Sequence, residues 1–203
     1  MRIRGYLKMD KRTLILDATL ELMKEDKDDI VSVNDISKRA GIAKGGIYYY
    51  FKSKEEILDA LVDRIYHDII VNCNQVISNS NENALVKLNL LFHTYYSFSS
   101  ASVIDTYLHA PNKAAVHQKS LAKILLELTP LLTAIIEAGI NENLFDCDYP
   151  KEYAEIILSA FTFLLDPGIF KWSQEDRYIK IAAISSLIEN SLNIKKGSII
   201  LLK

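Results

Sequence analysis

Residues 31–62 read VSVNDISKRAGIAKGGIYYYFKSKEEILDALV, and the fold of the N-terminal part follows from them. Ser32, with an acidic residue three positions later, predicts a short helix over 33–40, because a serine hydroxyl at a helix start accepts a hydrogen bond from the N3 backbone amide. Gly41 then stands where a helix end needs a left-handed residue. A second short helix is predicted over 44–50, so the stretch reads as helix, glycine turn, helix.

Two further helices frame this pair. Ser53 has Glu56 at the N3 position and predicts a long helix from Lys54, whose apolar residues recur at helical spacing as far as Ile77. The preceding LILDATLELMKE, residues 14–25, also shows helical spacing. The polar run Asp26 to Asp29 is expected to end that first helix.

Two short helices around a glycine turn have the outline of a helix-turn-helix, in which the second helix enters the major groove of DNA. Charge is placed to suit this role. The chain has a net charge of −2, yet residues 1–55 hold 12 Lys and Arg against 9 Asp and Glu. Five basic residues and no acidic one occur from Lys38 to Lys54. We therefore expect a local site for a polyanion.

Residues 31–62, together with residues 14–25, resemble the DNA-binding signature of the tetracycline-repressor (TetR) family. The resemblance implies an all-α protein: a three-helix, helix-turn-helix DNA-binding domain over 1–55, joined by a long helix to a larger helical domain over 56–203 that binds ligand and dimerises. The later residues resemble the family only in being helical and of the expected length.

The resemblance also assigns DNA contacts, to Ser32, Lys44, Gly45, Gly46, Tyr48, Tyr49 and Lys54. Ser32, Tyr48 and Lys54 would hold phosphates, while Tyr49 would meet bases or backbone. Two positions depart from the family pattern, because Ala43 replaces the usual capping Ser or Thr and Gly46 replaces a frequent Thr or Asn. An alanine cap and a helical glycine each cost about 1 kcal/mol. We therefore predict a loosely formed recognition helix that gains order on DNA.

Beyond residue 80 the pattern predicts helices at about 83–99, 102–109, 113–139, 150–165 and 175–192, with a kink at Pro130. The resemblance places a ligand cavity there, with candidate contacts His93, Tyr95, Tyr96, Tyr107 and His109. It places a dimer interface on the last two helices, with candidates Ala154, Ile157, Leu158, Phe161, Ile181, Ile184, Leu187 and Ile188. A plain hydrophobic core is the alternative interpretation of both sets.

Other classes of protein are disfavoured by what the sequence lacks. It contains neither GxSxG nor a Walker-type phosphate loop, and the histidines show no HExxH and no carboxylates at ligand spacing, so no catalytic residue, metal or cofactor is predicted. The first eight residues lack a secretory apolar region, and no apolar run could span a membrane. Two isolated cysteines fit a reduced, cytoplasmic setting.

These observations predict a homodimeric regulator of transcription. It would bind a palindromic double-stranded DNA operator and release it when a small-molecule inducer enters the C-terminal domain. Two alternatives stay open: a ligand-independent regulator or protein-binding co-activator of the same fold, and a small helical enzyme. The operator, the inducer, the direction of regulation and the roles of residues 1–8 and 195–203 cannot be read from the sequence.

Overall fold

The computed structural model describes residues 10–25, 31–99 and 105–201. Within these ranges the chain is helical and has no strand, which confirms the all-α class. The helices are α1 (Lys11–Glu25), α2 (Val33–Ala40), α3 (Lys44–Tyr50), α4 (Lys54–Ser78), α5 (Ala84–Ser99), α6 (Asp105–Leu108), a 3-10 turn (Pro111–Lys113), α7 (Ala114–Asn141), α8 (Pro150–Leu164) and α9 (Gln174–Ser191).

The predicted boundaries agree with these helices to within a few residues. The expected break at Asp26 to Asp29, the segment Met1 to Lys8, the start of the helix predicted at 102 and the last two residues of the chain lie outside the described residues. Among the described helices, none is both long and apolar enough to cross a membrane.

The described chain forms two compact units, one ending at Ile65 and the other beginning at Tyr66, so α4 contributes to both. A functional boundary at residue 55 stays a prediction. The core of the first unit is apolar and fully buried. It is formed by Ile15, Leu16, Ile36, Ile47, Phe51, Ile57, Leu61 and Val62.

The start of α2 and the turn between α2 and α3 have the geometry that the sequence predicts. The Ser32 hydroxyl accepts a hydrogen bond from the Asp35 amide, and the Asp35 carboxylate accepts one from the Ser32 amide in return. Gly41 ends α2 in the left-handed region, with φ of 65°. The Ser37 hydroxyl donates to the Ile42 carbonyl at 2.7 Å, which holds the turn closed before α3 starts.

The next two helices start differently. The Ser53 hydroxyl accepts a hydrogen bond from the Glu56 amide at 3.2 Å, as predicted. The Glu56 carboxylate, however, accepts from the Lys52 amide rather than from Ser53, so it reaches one residue further back than in a capping box. Helix α3 has Ala43 at its N-cap position and therefore no side-chain cap, and the loosely formed recognition helix stays a prediction.

The second unit is built on α7, which packs most extensively against α8 and then against α5. α7 passes through Pro130 as one helix, and the predicted kink stays a prediction. Phe92 of α5 meets Phe161 of α8 edge to face, with ring centroids 4.8 Å apart. The Phe145 ring lies directly against Gly139, where a Cβ would come within 2.0 Å of it.

The segment after α9 closes the same core. Ile199 and Leu201 are buried, and the Ile199 amide donates to the carboxylate of buried Glu189 at 3.0 Å. Asn89 of α5 accepts from the Ile200 amide at 2.6 Å and donates to the Ser198 carbonyl at 3.1 Å. The part of the tail that the structure describes is therefore an element of the second unit.

Candidate DNA-binding site and ligand cavity

Helix α3 has one face packed in the core and one face in solvent. Ile47 is completely buried, whereas Tyr48 is 47% exposed and Tyr49 is 83% exposed. Lys44 and Gly45, one turn before the tyrosines, are exposed on the same face. The Tyr49 ring contacts the Tyr50 ring edge to face at 5.1 Å and is otherwise open to solvent, so the exposed face of α3 is suited to contact a partner.

The other predicted DNA contacts differ in their burial and in their partners. Lys54 is the first residue of α4 and is half-buried. The Ser32 hydroxyl is engaged in the cap of α2. Gly46 points toward the core side, where an added Cβ would lie 2.9 Å from Cγ2 of Ile42, whereas a Cβ at Gly45 would meet nothing within 4 Å. A side chain at residue 46 would therefore have to displace Ile42, a constraint that the sequence alone does not show.

Of the five basic residues from Lys38 to Lys54, Arg39 already has acidic partners. Arg39 pairs with Glu25 at 2.5 Å and Glu21 at 3.3 Å, so it joins α2 to α1. The side-chain hydrogen bond to Arg39 holds the pKa of the Glu25 carboxyl below its ordinary value. Lys38, Lys44 and Lys52 are exposed and supply the positive charge that phosphates require.

The second unit contains a cavity of about 670 Å³, lined by α6, α7, α8 and the loop after α8. Most of its walls are apolar, with Leu108, Leu121 and Leu125 among them, and His109 and His117 are the titratable groups at its border. The volume lies within the range of about 300–1,000 Å³ that is usual for small-molecule sites.

A smaller polar pocket of about 230 Å³ adjoins His109, and Tyr66, Tyr95, Tyr96 and Arg177 line it. Burial raises the pKa of the Tyr95 phenol, so this hydroxyl stays neutral and can donate a hydrogen bond. Three of the predicted ligand contacts, Tyr95, Tyr96 and His109, thus lie at this pocket.

The other two predicted ligand contacts lie elsewhere. His93 is exposed on α5, because the side of that helix that faces the core is occupied by Phe92 and Tyr95. Tyr107 stacks its ring under the Lys113 ammonium, 4.4 Å from the ring centroid.

Two histidines and an aspartate converge where the two cavities approach each other. His117 Nε2 lies 2.9 Å from Asp166 Oδ2, and His109 Nε2 lies 3.6 Å from Asp166 Oδ1. Burial by itself would raise the pKa of Asp166, but the hydrogen bond and charge of His117 outweigh it and hold that pKa below its ordinary value. Because His117 and Asp166 are 49 residues apart in the sequence, no spacing pattern could reveal this cluster.

The predicted dimer residues need correction. Six of the eight are buried in the chain's own core, namely Ala154, Ile157, Leu158, Phe161, Ile184 and Ile188. Ile181 is half-buried, and Leu187 is 44% exposed. Helical spacing identifies an apolar stripe but cannot tell which stripe faces the chain's own core. The large hydrophobic side chains that are exposed on α8 and α9 are Ile156, Phe163, Tyr178 and Ile179, together with the predicted Leu187.

A helix-turn-helix with an exposed basic and aromatic second helix, followed by a helical unit with a cavity, defines a DNA-binding regulator of transcription. A family model of bacterial regulatory proteins of the tetR family matches residues 15–61, and a model of the tetracyclin repressor-like C-terminal domain matches residues 99–187. The two models together cover more than half of the chain. The protein therefore belongs to the TetR family of transcriptional regulators.

Curated relatives match over most of the chain. The fatty acid metabolism regulator protein of Bacillus subtilis is 26% identical over 186 residues, which covers 89% of this chain and 93% of that protein. The transcriptional repressor KstR2 of Rhodococcus jostii is 25% identical over 162 residues, covering 78% of this chain and 76% of that protein. These relatives are regulators rather than enzymes.

Solved structures share the fold. A transcriptional regulator from Cytophaga hutchinsonii has a TM-score of 0.70 at 18% identity and covers 90% of this chain and 98% of its own. RolR, solved in complex with resorcinol, has a TM-score of 0.59 at 19% identity, with coverage of 91% and 88%.

Proposed function

We propose that this regulator is a cytoplasmic homodimeric repressor that binds a palindromic operator and leaves it when a small molecule occupies the cavity of the second unit. The exposed face of α3, with Lys44, Tyr48 and Tyr49 turned to solvent while Ile47 is buried, is the observation that supports DNA recognition. Phosphates would be held by Ser32, Lys44, Tyr48 and Lys54, and Tyr49 would reach furthest into the groove.

The walls of the cavity indicate the class of inducer. Leucine and alanine side chains are the most frequent in the lining, and the polar side chains there are those of His109, His117, Gln118, Ser159 and Thr162. Such a cavity fits a molecule with an apolar body and one polar end. One relative is named for regulating fatty acid metabolism, a name that is consistent with an inducer that has an apolar body.

Release would follow from a population shift. Helix α4 begins in the first unit and ends in the second, so a ligand that prefers one arrangement of α4 can alter the spacing of two recognition helices. A ligand that moves the equilibrium from 1:99 to 99:1 must favour one state by about 5.5 kcal/mol.

Dimerisation would use the exposed apolar residues of α8 and α9. Ile156, Ile179 and Leu187 are each about half exposed, so these side chains are available to contact a second subunit. A two-fold dimer also places two recognition helices at half-sites about one DNA turn apart.

Fluorescence anisotropy of the purified protein tests the proposal, with duplexes from its own upstream region and with random sequence, at several salt concentrations. We expect tight binding to one upstream duplex, and weaker, steeply salt-dependent binding to random duplex. Equal and feeble binding to every duplex would contradict the repressor and favour a protein-binding co-activator.

The inducer is tested separately, by thermal-shift screening of small amphipathic molecules. A compound that stabilises the protein and also lowers operator affinity is expected. An extensive screen without such a compound would favour the ligand-independent regulator. Turnover of a bound compound would instead support the enzyme alternative.

A further inference from the structure

Three potential metal ligands meet in the second unit, although they come from separate elements. His109 follows α6, His117 lies in the first turns of α7 and Asp166 lies just after α8. Their ligand atoms all lie within 4.8 Å of one another. All three side chains are largely buried, with 18% of His109, 8% of His117 and 10% of Asp166 exposed.

The distances fit a shared metal ion. With bonds of about 2.0–2.2 Å to nitrogen and oxygen, neighbouring ligand atoms of a tetrahedral zinc-type site lie roughly 3.3–3.6 Å apart. Asp166 Oδ2 lies 2.9 Å from Nε2 of His117, and Asp166 Oδ1 lies 3.6 Å from Nε2 of His109, so both distances are close to that range. With one ligand atom from each residue, all three atoms lie within 4.8 Å of one another, and an ion bound by all three would draw the side chains closer together.

The chemistry of the ligands points to a transition metal. Two imidazoles and one carboxylate suit zinc, iron or cobalt, whereas magnesium and calcium prefer oxygen ligands alone. The Asp166 carboxylate would supply negative charge to the ion. Its Oδ1 accepts hydrogen bonds from the Gly168 amide at 2.7 Å and the Ile169 amide at 3.2 Å, which orients the carboxylate in the way that outer partners orient metal ligands.

Gly168 has a second role at this cluster. A Cβ on Gly168 would lie 1.9 Å from Cδ2 of His109, so the His109 ring occupies the space that a side chain would need. The ring can approach Asp166 only because residue 168 is glycine. This close packing positions His109 without contributing a ligand atom.

We propose that His109, His117 and Asp166 bind one divalent transition-metal ion in the second unit. The ion would tie together the chain before α7, α7 itself and the loop after α8, at the border of both cavities. The prediction of no metal site is replaced by this proposal, because the ligands become neighbours only in the folded chain.

Titration of the chelator-treated full chain with Co²⁺ and Zn²⁺ at neutral pH tests the site. The C147S variant serves as the background, so that this partly exposed thiol does not compete for the ion. We expect one ion per chain, a visible Co²⁺ absorption band of nitrogen and oxygen ligation, and a higher melting temperature with Zn²⁺. Acidification should weaken binding, because both imidazoles must be neutral.

Substitutions of the ligands give the decisive comparison. His109→Ala and Asp166→Asn should each abolish the Co²⁺ band, and His109 is the most exposed of the three, so its loss disturbs folding least. The control is His67→Ala, which removes an exposed histidine of α4 and should leave the titration unchanged. Circular dichroism verifies that each variant is folded.

Gly168→Ala tests the positioning role while retaining every ligand. We expect metal affinity to fall about 10–100-fold, the size of effect that misplacing a metal ligand's outer support has, because the added Cβ displaces the His109 ring. The proposal would be overturned if the background protein bound no ion, or if His109→Ala and Asp166→Asn titrated in the same way as the background protein. The metal titrations do not require DNA, so their outcome is independent of whether the protein is a repressor.

Discussion

Lys54 opens α4 with its ammonium group near a helix N-terminus, where the aligned peptide dipoles disfavour positive charge. A phosphate contact would offset that unfavourable placement. Tyr48 presents its phenol on the neighbouring helix and is about half exposed. Contacts of both side chains with the DNA backbone are part of the proposal and can be tested by substitution.

Replacing Lys54 by alanine should weaken binding to operator and to random duplex by a similar factor. The slope of log affinity against log salt concentration should become shallower by about one unit, because one phosphate contact is lost. Anisotropy titrations at several salt concentrations measure both effects. Lys196→Ala, at an exposed lysine of the second unit, is the control. Unchanged operator affinity in Lys54→Ala would show that the assigned contact is wrong.

The two cysteines should differ in reactivity. Cys73 is fully buried in α4, and burial raises the pKa of its thiol to about 12. Cys147 is partly exposed, and partial burial also raises its pKa. Because the thiolate is the nucleophile, iodoacetamide at neutral pH should alkylate Cys147 well before Cys73. Peptide mass spectrometry measures the order, and equal rates in folded protein would contradict the burial of Cys73.

Among the helices, α3 has the weakest start, because Ala43 offers no cap and two glycines follow Lys44. These two glycines differ in their surroundings. Gly45 has open space at its Cβ position, whereas Gly46 lies against Ile42. The tolerance of α3 to added side chains is therefore position-specific.

Gly45→Ala should raise the free energy of unfolding by about 0.5–1 kcal/mol, because alanine loses less backbone entropy in a helix. Gly46→Ala should show no such gain, because its methyl group must displace Ile42. Urea denaturation measures both variants, each serving as the other's comparison. An equal gain in both would show that Ile42 moves freely and that the turn is not tightly packed.

For the whole molecule, dimerisation decides whether two recognition helices can meet one operator. Leu187→Glu and Ile156→Glu place charge on the proposed apolar face and should convert the dimer to monomers in sedimentation velocity. Leu126→Glu makes the same kind of change at a leucine that is 73% exposed on α7, and it should leave the dimer intact. Dimers that survive both changes on α8 and α9 would place the interface elsewhere.

Local patterns in the sequence determined the helices and the helix-turn-helix. Caps, glycine turns and apolar spacing act within a few residues, so Ser32, Gly41 and Ser53 predict where helices start and end. The resemblance of residues 14–62 to the TetR signature added the family. The predicted helix ends were confirmed because capping hydrogen bonds and glycine turns act between residues that are close together in the sequence.

The tertiary structure alone decided which apolar side chains face the core and which polar side chains meet, because both depend on contacts between segments that are far apart in the sequence. Only packing shows that Ile157 and Ile188 face the chain's own core while Ile156 and Leu187 face solvent. Only packing brings His117 and Asp166 to 2.9 Å across 49 residues of sequence. Periodicity specifies that a helix has an apolar stripe, but the partner of each stripe is selected by the burial of the whole chain.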